Sequence, residues 1–188
     1  MRIKDFLKGY QINKSYVVRK IEKRLKRLQK QVSRKYEQNK KGKEYVKTKN
    51  IIKLEKQIQQ VYRRLANIRS NYLHKTTTSI VKTKPYRVVI EDLNVKGMMR
   101  NKHLSKAVAQ QKFNEFRNKL ATKCNALGIE LRIVDRFYPS SKLCHKCGSI
   151  KKDLKLKDRI FNCDCGYVED RDYNASLNLR DAKIYKIA

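Results

Sequence analysis

Four of the five cysteines stand in two close pairs, Cys144-x-x-Cys147 and Cys163-x-Cys165, with fifteen residues between the pairs. Two pairs of thiolates can hold one tetrahedral zinc ion, because each short loop presents two sulfurs to it. A glycine directly follows each pair and permits the tight turn that such a loop needs. The spacing favours a zinc ribbon over free thiols or a disulfide.

A zinc ion held by four protein ligands is expected to be structural, since no coordination position is left for water. The second pair departs from the usual pattern, because it is one residue tighter than C-x-x-C. The fifth cysteine, Cys124, falls on the apolar face of a predicted helix and is interpreted as a small buried hydrophobic residue.

The acidic residues near the C-terminus form a second group that could do chemistry. The run CDCGYVEDRDYNAS, residues 163–176, holds four of the seventeen acidic residues of a chain whose formal net charge is +31. One interpretation is helix capping, in which Asp170, Asp172 or Asn174 accepts bonds from the first N–H groups of a helix. The other is a divalent-cation site, because carboxylate oxygens are the ligands that Mg²⁺ prefers.

A Mg²⁺ site for phosphodiester hydrolysis needs carboxylates that converge from separate elements. Glu91 and Asp92 end the apolar strand VVI, and Asp172 stands where a helix is predicted to begin. Strand ends of α/β sheets are where such sites collect. Glu91 and Asp92 are therefore the candidate partners of Asp172 in a Mg²⁺ site.

The charge balance points to a polyanionic partner. Lys and Arg total 48 against 17 Asp and Glu, and nucleic acid is the first candidate because such residues release counterions from phosphates. A ribosomal-type or histone-like binder fits equally well, and an anionic membrane surface fits less well. Neither an apolar run of 18 residues nor a signal peptide is present, so a cytoplasmic, nucleoid-associated protein without a membrane partner is expected.

Residues 13 to about 80 are predicted to form two long helices joined by a turn at 39–47. Apolar residues recur at alternating steps of three and four along both helices, which predicts an antiparallel hairpin. From Lys14 to Lys49 there are 15 basic and 3 acidic residues. The run is interpreted as a phosphate-binding face in preference to a merely solvated one. The candidate contacts are Arg19, Lys20, Lys23, Arg24, Lys26, Arg27, Lys30 and Arg34.

The rest of the chain alternates between helix and strand, which predicts an α/β layer. Strands are expected at 86–93 and 129–135, and a helix at 108–127. The segment 95–106 is predicted to be a loop. A final helix is predicted over 174–187.

Three motifs in order carry a family resemblance: VVIEDLNVKGM, DRFYPSSKLCHKCG and FNCDCGYVEDRDYNASLNL. They resemble the C-terminal half of the TnpB/OrfB transposon-encoded proteins, which are related to type V CRISPR effector nucleases. The resemblance implies a partial RNase H-like, RuvC-type fold of the α/β class with a long basic helical hairpin and an inserted zinc ribbon. It also implies an RNA-guided, Mg²⁺-dependent DNA endonuclease, with DNA and a guide RNA as partners.

Carried over by motif, the catalytic acids would be Glu91 and Asp172, with Asn174 supporting the second acid while capping its helix. The zinc ligands would be Cys144, Cys147, Cys163 and Cys165. The implied division is an N-terminal remnant (1–12), the basic hairpin (13–80), a strand–helix–strand core (81–138), the ribbon (139–168), and the last acidic motif with a C-terminal helix (169–188).

The family's first catalytic Asp, in a segment resembling G-I-D-L-G, has no counterpart here, because Asp5 lies in no apolar strand and no D-x-G follows it. An N-terminally truncated protein is therefore expected. Asp135 is a conceivable substitute, although a local role in the turn before the ribbon is favoured. Three hypotheses follow: a truncated protein that binds nucleic acid without cleaving it, an active nuclease whose missing Asp comes from elsewhere, and a zinc-ribbon accessory module that binds nucleic acid.

Overall fold

The computed structural model describes residues 15–155 and 157–188, and the predicted N-terminal remnant and Asp5 lie outside them. The chain divides into two compact units, one ending at Tyr72 and the other beginning at Leu73. Among the described residues, no helix has both the length and the apolar character that crossing a membrane requires.

The first unit is built on two helices, α1 (Tyr16–Gln38) and the first part of α2 (Lys49–Lys82). Ser15 caps α1 by accepting a hydrogen bond from the N–H of Val18. The predicted apolar seams meet, because the buried residues of both helices form one core. That core consists of Val18, Ile21, Leu25, Leu28, Val61 and Leu65, with Leu54, Ile58 and Ile68 packed against it.

Polar pairs beside this core confirm the antiparallel register. Glu22 pairs with Arg69 at 3.3 Å. Gln29 donates to Tyr62 at 2.9 Å. Tyr36 donates to Glu55 at 2.7 Å. Each step is seven residues forward on α1 and seven backward on α2, which is the heptad spacing of a helical hairpin.

The connection between the helices is more ordered than the predicted turn. Strands β1 (Lys40–Lys41) and β2 (Glu44–Tyr45) pair as a short antiparallel hairpin. Gly42 stands at its tip with a φ of +60°, a backbone conformation that glycine adopts without strain.

The second unit contains a three-stranded sheet in the order β3 (Arg87–Glu91), β4 (Glu130–Val134) and β7 (Tyr185–Ile187). β3 and β4 are parallel, with Glu91 opposite Val134, and β7 is antiparallel to β4. The two parallel strands lie within the predicted ranges, and the α/β class is confirmed.

The segment between β3 and β4 corrects two predictions. Residues 95–106 are not a loop, because they contain α3 (Val95–Arg100) and the start of α4 (Ser105–Gln111). The Asn94 side chain caps α3 by accepting from the N–H of Gly97. The helix predicted over 108–127 is interrupted at Lys112, whose φ of +51° ends α4 before α5 (Phe113–Ala126) begins.

The C-terminus also differs from the prediction. The last helix, α6, spans Arg171–Arg180, so it begins before Asn174 and ends well before Ile187. The residues after it form β7, which satisfies its backbone against β4. The helix predicted over 174–187 is correct for 174–180 and wrong beyond Arg180, because β7 is defined by a partner strand that lies far away in the sequence.

Candidate metal and nucleic-acid sites

Two short hairpins carry the cysteine pairs. The first is closed by an antiparallel bridge between Leu143 and Ile150. The second consists of β5 (Ile160–Asn162) and β6 (Val168–Asp170). Each pair therefore occupies the turn of a two-stranded element, as the ribbon interpretation requires.

The two turns differ in length because the cysteine spacings differ. In the first, the N–H of Gly148 donates to the carbonyl of Cys144 at 2.9 Å; in the second, the N–H of Gly166 donates to the carbonyl of Cys163 at 2.9 Å. The donor follows the acceptor by four residues in the first turn and by three residues in the second. Both glycines have positive φ, +75° and +81°, so C-x-C forms a turn one residue tighter than C-x-x-C.

The four sulfurs fit a tetrahedral ion. Their Sγ atoms all lie within 4.8 Å of one another, with Cys147 and Cys163 3.6 Å apart and Cys144 and Cys165 3.8 Å apart. Zn–S bonds of about 2.3 Å in a tetrahedron separate the sulfurs by about 3.8 Å. The predicted ligand set is thus gathered at one point, and the chemistry of four soft donors suits zinc.

Ser149 supports the thiolate form of this cluster. Its hydroxyl lies 3.0 Å from Sγ of Cys147 and 3.2 Å from Sγ of Cys163. Hydrogen bonding with Ser149, whose single hydroxyl proton can be donated to one sulfur at a time, is the main cause that lowers the pKa of each thiol, that of Cys147 to about 6. Because metals bind thiolates, Ser149 is a candidate supporting residue that the spacing of the cysteines did not reveal.

Glu91 and Asp92 have different surroundings. Asp92 accepts from Arg136, and its other oxygen is 3.4 Å from Arg117. Glu91 Oε1 accepts from the hydroxyl of Ser140 at 2.7 Å. Within the described residues the second oxygen of Glu91 has no protein partner, so Glu91 is the better candidate for a cation ligand.

Glu91 lines a cavity together with residues of α6, the helix that carries Asp172. It is two residues beyond Val89, so the two side chains share one face of β3. Val89 packs against a core cluster formed by Val134, Leu179 and Ala182, and Leu179 belongs to α6. The second residue of α6 is Asp172, and α6 contacts β3.

Asp172 lies in the first turn of α6, where the positive end of the helix favours a carboxylate. Its side chain is 33% exposed and lies 3.8 Å from Arg171, so it can still contact a ligand. The capping interpretation holds for Asp170 instead, whose side chain accepts from the N–H groups of Asp172 and Tyr173.

Asn174 does not cap α6, because it lies one turn inside the helix and is fully buried. Its amide donates to the carbonyl of Leu143 at 2.8 Å and accepts from the N–H of His145 at 3.1 Å. Asn174 thus holds the backbone around Cys144. Support of the last acidic site stays a prediction.

Two further residues of this region were missed at the sequence level. Ser140 contacts Glu91, and Asn178 donates to the carbonyls of Ser140 and Leu143 at 2.8 and 2.7 Å. The spacing of Asn174 and Asn178, four residues apart, could have indicated one polar helix face. Nothing in the sequence indicated the contact of Ser140.

Asp135 has the local role that was favoured for it. Its carboxylate accepts from the N–H of Phe137 at 2.8 Å, and its carbonyl accepts from the N–H of Tyr138 at 3.1 Å. Among the described residues, the four cysteines form the one group of three or more potential ligands close enough to share an ion. Glu91 and Asp172 therefore belong to no such group in the part of the chain that the structure describes.

The eight candidate basic residues all lie on the outer side of α1. Every one of them is exposed, and none pairs with an acidic side chain in the described part of the chain. They are Arg19, Lys20, Lys23, Arg24, Lys26, Arg27, Lys30 and Arg34. The arrangement leaves eight positive charges available to a polyanion.

The structure combines an α/β fold with a four-cysteine cluster and a basic helical hairpin. Two family models match this chain. The OrfB_IS605 model, described as a probable transposase, matches residues 7–102. The Cas12f1-like TNB domain model matches residues 113–179. The chain belongs to the OrfB_IS605 transposase family.

The curated relatives are longer than this chain. A Streptomyces pristinaespiralis protein, provisionally named an RNA-guided DNA endonuclease, is 40% identical over 127 residues, which cover 68% of this chain and 31% of the relative. The similarly named InsQ of Escherichia coli K12 is 32% identical over 176 residues, which cover 85% of this chain and 41% of InsQ. The chain therefore spans less than half of these curated relatives.

Solved structures agree with the fold. A Cas12f1 chain in a complex with sgRNA and target DNA aligns over 71% of this chain and 39% of its own length, with a TM-score of 0.56 and 26% identity. A chain of a CRISPR-Cas12f ternary complex aligns over 92% of this chain and 33% of its own length. Its TM-score is 0.63 at 24% identity, which supports the fold alone.

Proposed function

We propose that this chain forms the nucleic-acid-binding and metal-binding part of an RNA-guided DNA endonuclease. Membership of the transposase family and the names of the relatives support this function. The observation that carries it is that Glu91 ends β3, that Asp172 lies in the first turn of α6, and that α6 contacts β3. The fold around them is proposed to be RuvC-like.

In this proposal, Glu91 and Asp172 contribute two carboxylates that hold Mg²⁺ against the scissile phosphate. The ion would supply charge stabilisation and an activated water. Asp92 has a different role, since its carboxylate is already paired with Arg117 and Arg136. The paired arginines lie beside the site and contribute positive charge where phosphates would enter.

The four-cysteine cluster is proposed to hold a structural zinc ion in a ribbon. The separations of 3.6 and 3.8 Å between Sγ atoms match the edges of a tetrahedral site. The exposed basic residues of α1 are proposed to contact phosphates of guide RNA or DNA. These contacts are independent of the base sequence, so they supply affinity and leave target choice to base pairing.

The experiment uses the purified chain with labelled single- and double-stranded DNA and a structured RNA. Binding is measured by anisotropy at several salt concentrations, and cleavage is measured with Mg²⁺ or Mn²⁺. Salt-sensitive binding supports the proposal, and its absence would overturn it. Metal-dependent cleavage that disappears in Glu91→Gln and Asp172→Asn would show that the chain contains a complete nuclease site.

A second candidate is a nucleic-acid-binding accessory module without nuclease activity. It is favoured by one observation: among the described residues, Glu91 and Asp172 belong to no group of three or more potential ligands close enough to share an ion. This candidate predicts binding that is unchanged in Glu91→Gln and Asp172→Asn, with no cleavage by the wild-type chain. Loss of binding after zinc removal would assign the interaction to the ribbon instead of α1.

A further inference from the structure

The hydroxyl of Ser140 is directed to a carboxylate on a different element. Its Oγ donates to Oε1 of Glu91 at 2.7 Å across a separation of 49 residues. Ser140 is only 7% exposed, so water competes little for this donor. A hydrogen bond from a buried hydroxyl to a charged acceptor is among the stronger ones and fixes the orientation of the carboxylate.

The backbone of Ser140 is itself held in place. Its N–H donates to the carbonyl of Tyr138 at 2.8 Å, and its carbonyl accepts from the amide of Asn178 at 2.8 Å. The Tyr138 hydroxyl in turn donates to the carbonyl of Asn178 at 3.2 Å. Ser140 is therefore fixed to α6, the helix that also carries Asp172.

The same face of α6 holds the first cysteine turn. Asn178 and Asn174, one helical turn apart, both donate to the carbonyl of Leu143, at 2.7 and 2.8 Å. Asn174 also accepts from the N–H of His145. The backbone of 138–145 is thus tied to one helix at both of its ends, with Ser140 near the first end and Cys144 near the second.

We propose that Ser140 is a positioning residue for Glu91 and that Asn178 keeps Ser140 in place. The inference rests on the proposed metal-binding role of Glu91. By holding Oε1, Ser140 directs the second carboxylate oxygen toward a cation. Because Asn178 lies on α6, the orientation of Glu91 is fixed relative to the helix that carries Asp172. Removal of such a supporting partner commonly weakens metal binding about 10- to 100-fold.

The test measures Mn²⁺ binding by electron paramagnetic resonance on the zinc-loaded full chain, without nucleic acid. Ser140→Ala is expected to weaken Mn²⁺ binding about 10-fold, and Ser140→Thr, which keeps the hydroxyl, is expected to restore it. Ser141→Ala is the matched control at the neighbouring serine and should bind Mn²⁺ like the wild type. The melting temperature and the zinc content of each variant report whether it is folded.

Asn178→Ser is a second variant, which replaces the amide with a shorter hydroxyl side chain and leaves Glu91 unchanged, and we expect it to weaken Mn²⁺ binding as well. Wild-type Mn²⁺ affinity in a folded Ser140→Ala chain, while Glu91→Gln weakens binding, would overturn the positioning role alone. Wild-type affinity in Glu91→Gln would overturn the metal-binding role of Glu91 and this inference with it. If Ser140→Ala does not fold, wild-type affinity in Asn178→Ser decides against the inference.

Discussion

Tyr36 donates its hydroxyl proton to Glu55 at 2.7 Å, joining the end of α1 to the start of α2. Lys47 pairs with the other oxygen of Glu55 at 3.1 Å. The hydrogen bond from Tyr36 is the largest cause that lowers the pKa of Glu55, followed by that from Lys47. These residues fasten the connected end of the helical hairpin, beside β1 and β2.

A lowered pKa makes the contribution of Glu55 to stability pH-dependent. The stabilisation is fully present above the pKa of Glu55 in the unfolded chain, and it is lost as the pH falls through the lower pKa of the folded state. Tyr36→Phe should therefore reduce the melting temperature of the hairpin at pH 7 and reduce it less in acid. Melts followed by circular dichroism at a series of pH values measure this difference.

Tyr62→Phe is the matched control for Tyr36→Phe. It removes a hydroxyl that accepts from Gln29, a partner that does not titrate. Its effect on the melting temperature should be the same at each pH. A Tyr36→Phe effect that is also independent of pH would contradict the role assigned to Glu55.

Zinc removal should unfold the cysteine region selectively. We expect one zinc ion per chain in the purified protein, measured by mass spectrometry of the metal content. Cys144→Ser should lose the ion, because three thiolates leave the tetrahedral site incomplete. Cys124→Ala is the control, since Cys124 is fully buried in α5 and belongs to no cluster of ligands among the described residues.

Hydrogen exchange should localise the effect of zinc removal. After chelation, amides within 140–170 are expected to exchange faster, while those of α1 keep their protection because its core is formed with α2. A wild-type chain that is well folded with less than one zinc, or a Cys144→Ser chain with stoichiometric zinc, would contradict the structural role.

Asn174→Ala should weaken zinc binding although Asn174 touches no sulfur. Its amide holds the backbone at Leu143 and His145, on either side of Cys144. Its loss takes this partner from the N–H of His145 and leaves the carbonyl of Leu143, within the described residues, bonded to Asn178 alone. The zinc affinity, measured by competition with a chromophoric chelator, should fall about 10-fold, as for other supporting partners of metal ligands. Ser176→Ala, at a half-buried position in the same helix, should leave the affinity unchanged.

The elements that could be predicted are those whose signal is local. The seam of α1, with Val18, Ile21 and Leu25 buried, follows from periodicity, and the cysteine turns follow from short spacings. Glycine after each pair marked the positive φ that those turns adopt. Periodicity and turn chemistry act over a few residues, so one sequence is enough to reveal them.

The elements that could not be predicted depend on distant partners or on weak local signals. β7 forms because Tyr185–Ile187 pairs with β4, and a three-residue strand has no pattern of its own. The break at Lys112 places a lysine at positive φ, where glycine or asparagine would have been the usual signal. The contact between Ser140 and Glu91 spans 49 residues, so only the folded chain reveals it.

Lys123 is expected to stabilise the second unit more than an ordinary surface lysine. Its ammonium donates to Oγ1 of Thr77 and of Thr78, both at 2.7 Å, and to the carbonyl of His74 at 2.8 Å. Thr77 is fully buried. Burial, with a smaller contribution from Lys119, lowers the pKa of Lys123.

Lys123→Met keeps the apolar stem and removes all three donors, so it should lower the free energy of unfolding by about 1–3 kcal/mol. Urea denaturation of the zinc-loaded chain measures this loss. Lys106→Met, at an exposed position in α4, should change stability by less than about 0.5 kcal/mol. Equal effects of the two substitutions would show that the hydrogen bonds of Lys123 contribute little.

The basic face of α1 should determine the salt dependence of nucleic-acid binding. Lys20, Lys23, Lys26 and Lys30 are exposed on this helix, and a variant with all four changed to Gln removes their charge while keeping good helix formers. The slope of log K against log salt for duplex DNA should become shallower by about 0.9 for each lysine that contacts a phosphate. The four Lys→Arg changes keep the charge and should preserve the slope. An unchanged slope in the Gln variant would show that these four lysines do not contact the phosphates and that the nucleic acid binds to another part of the chain.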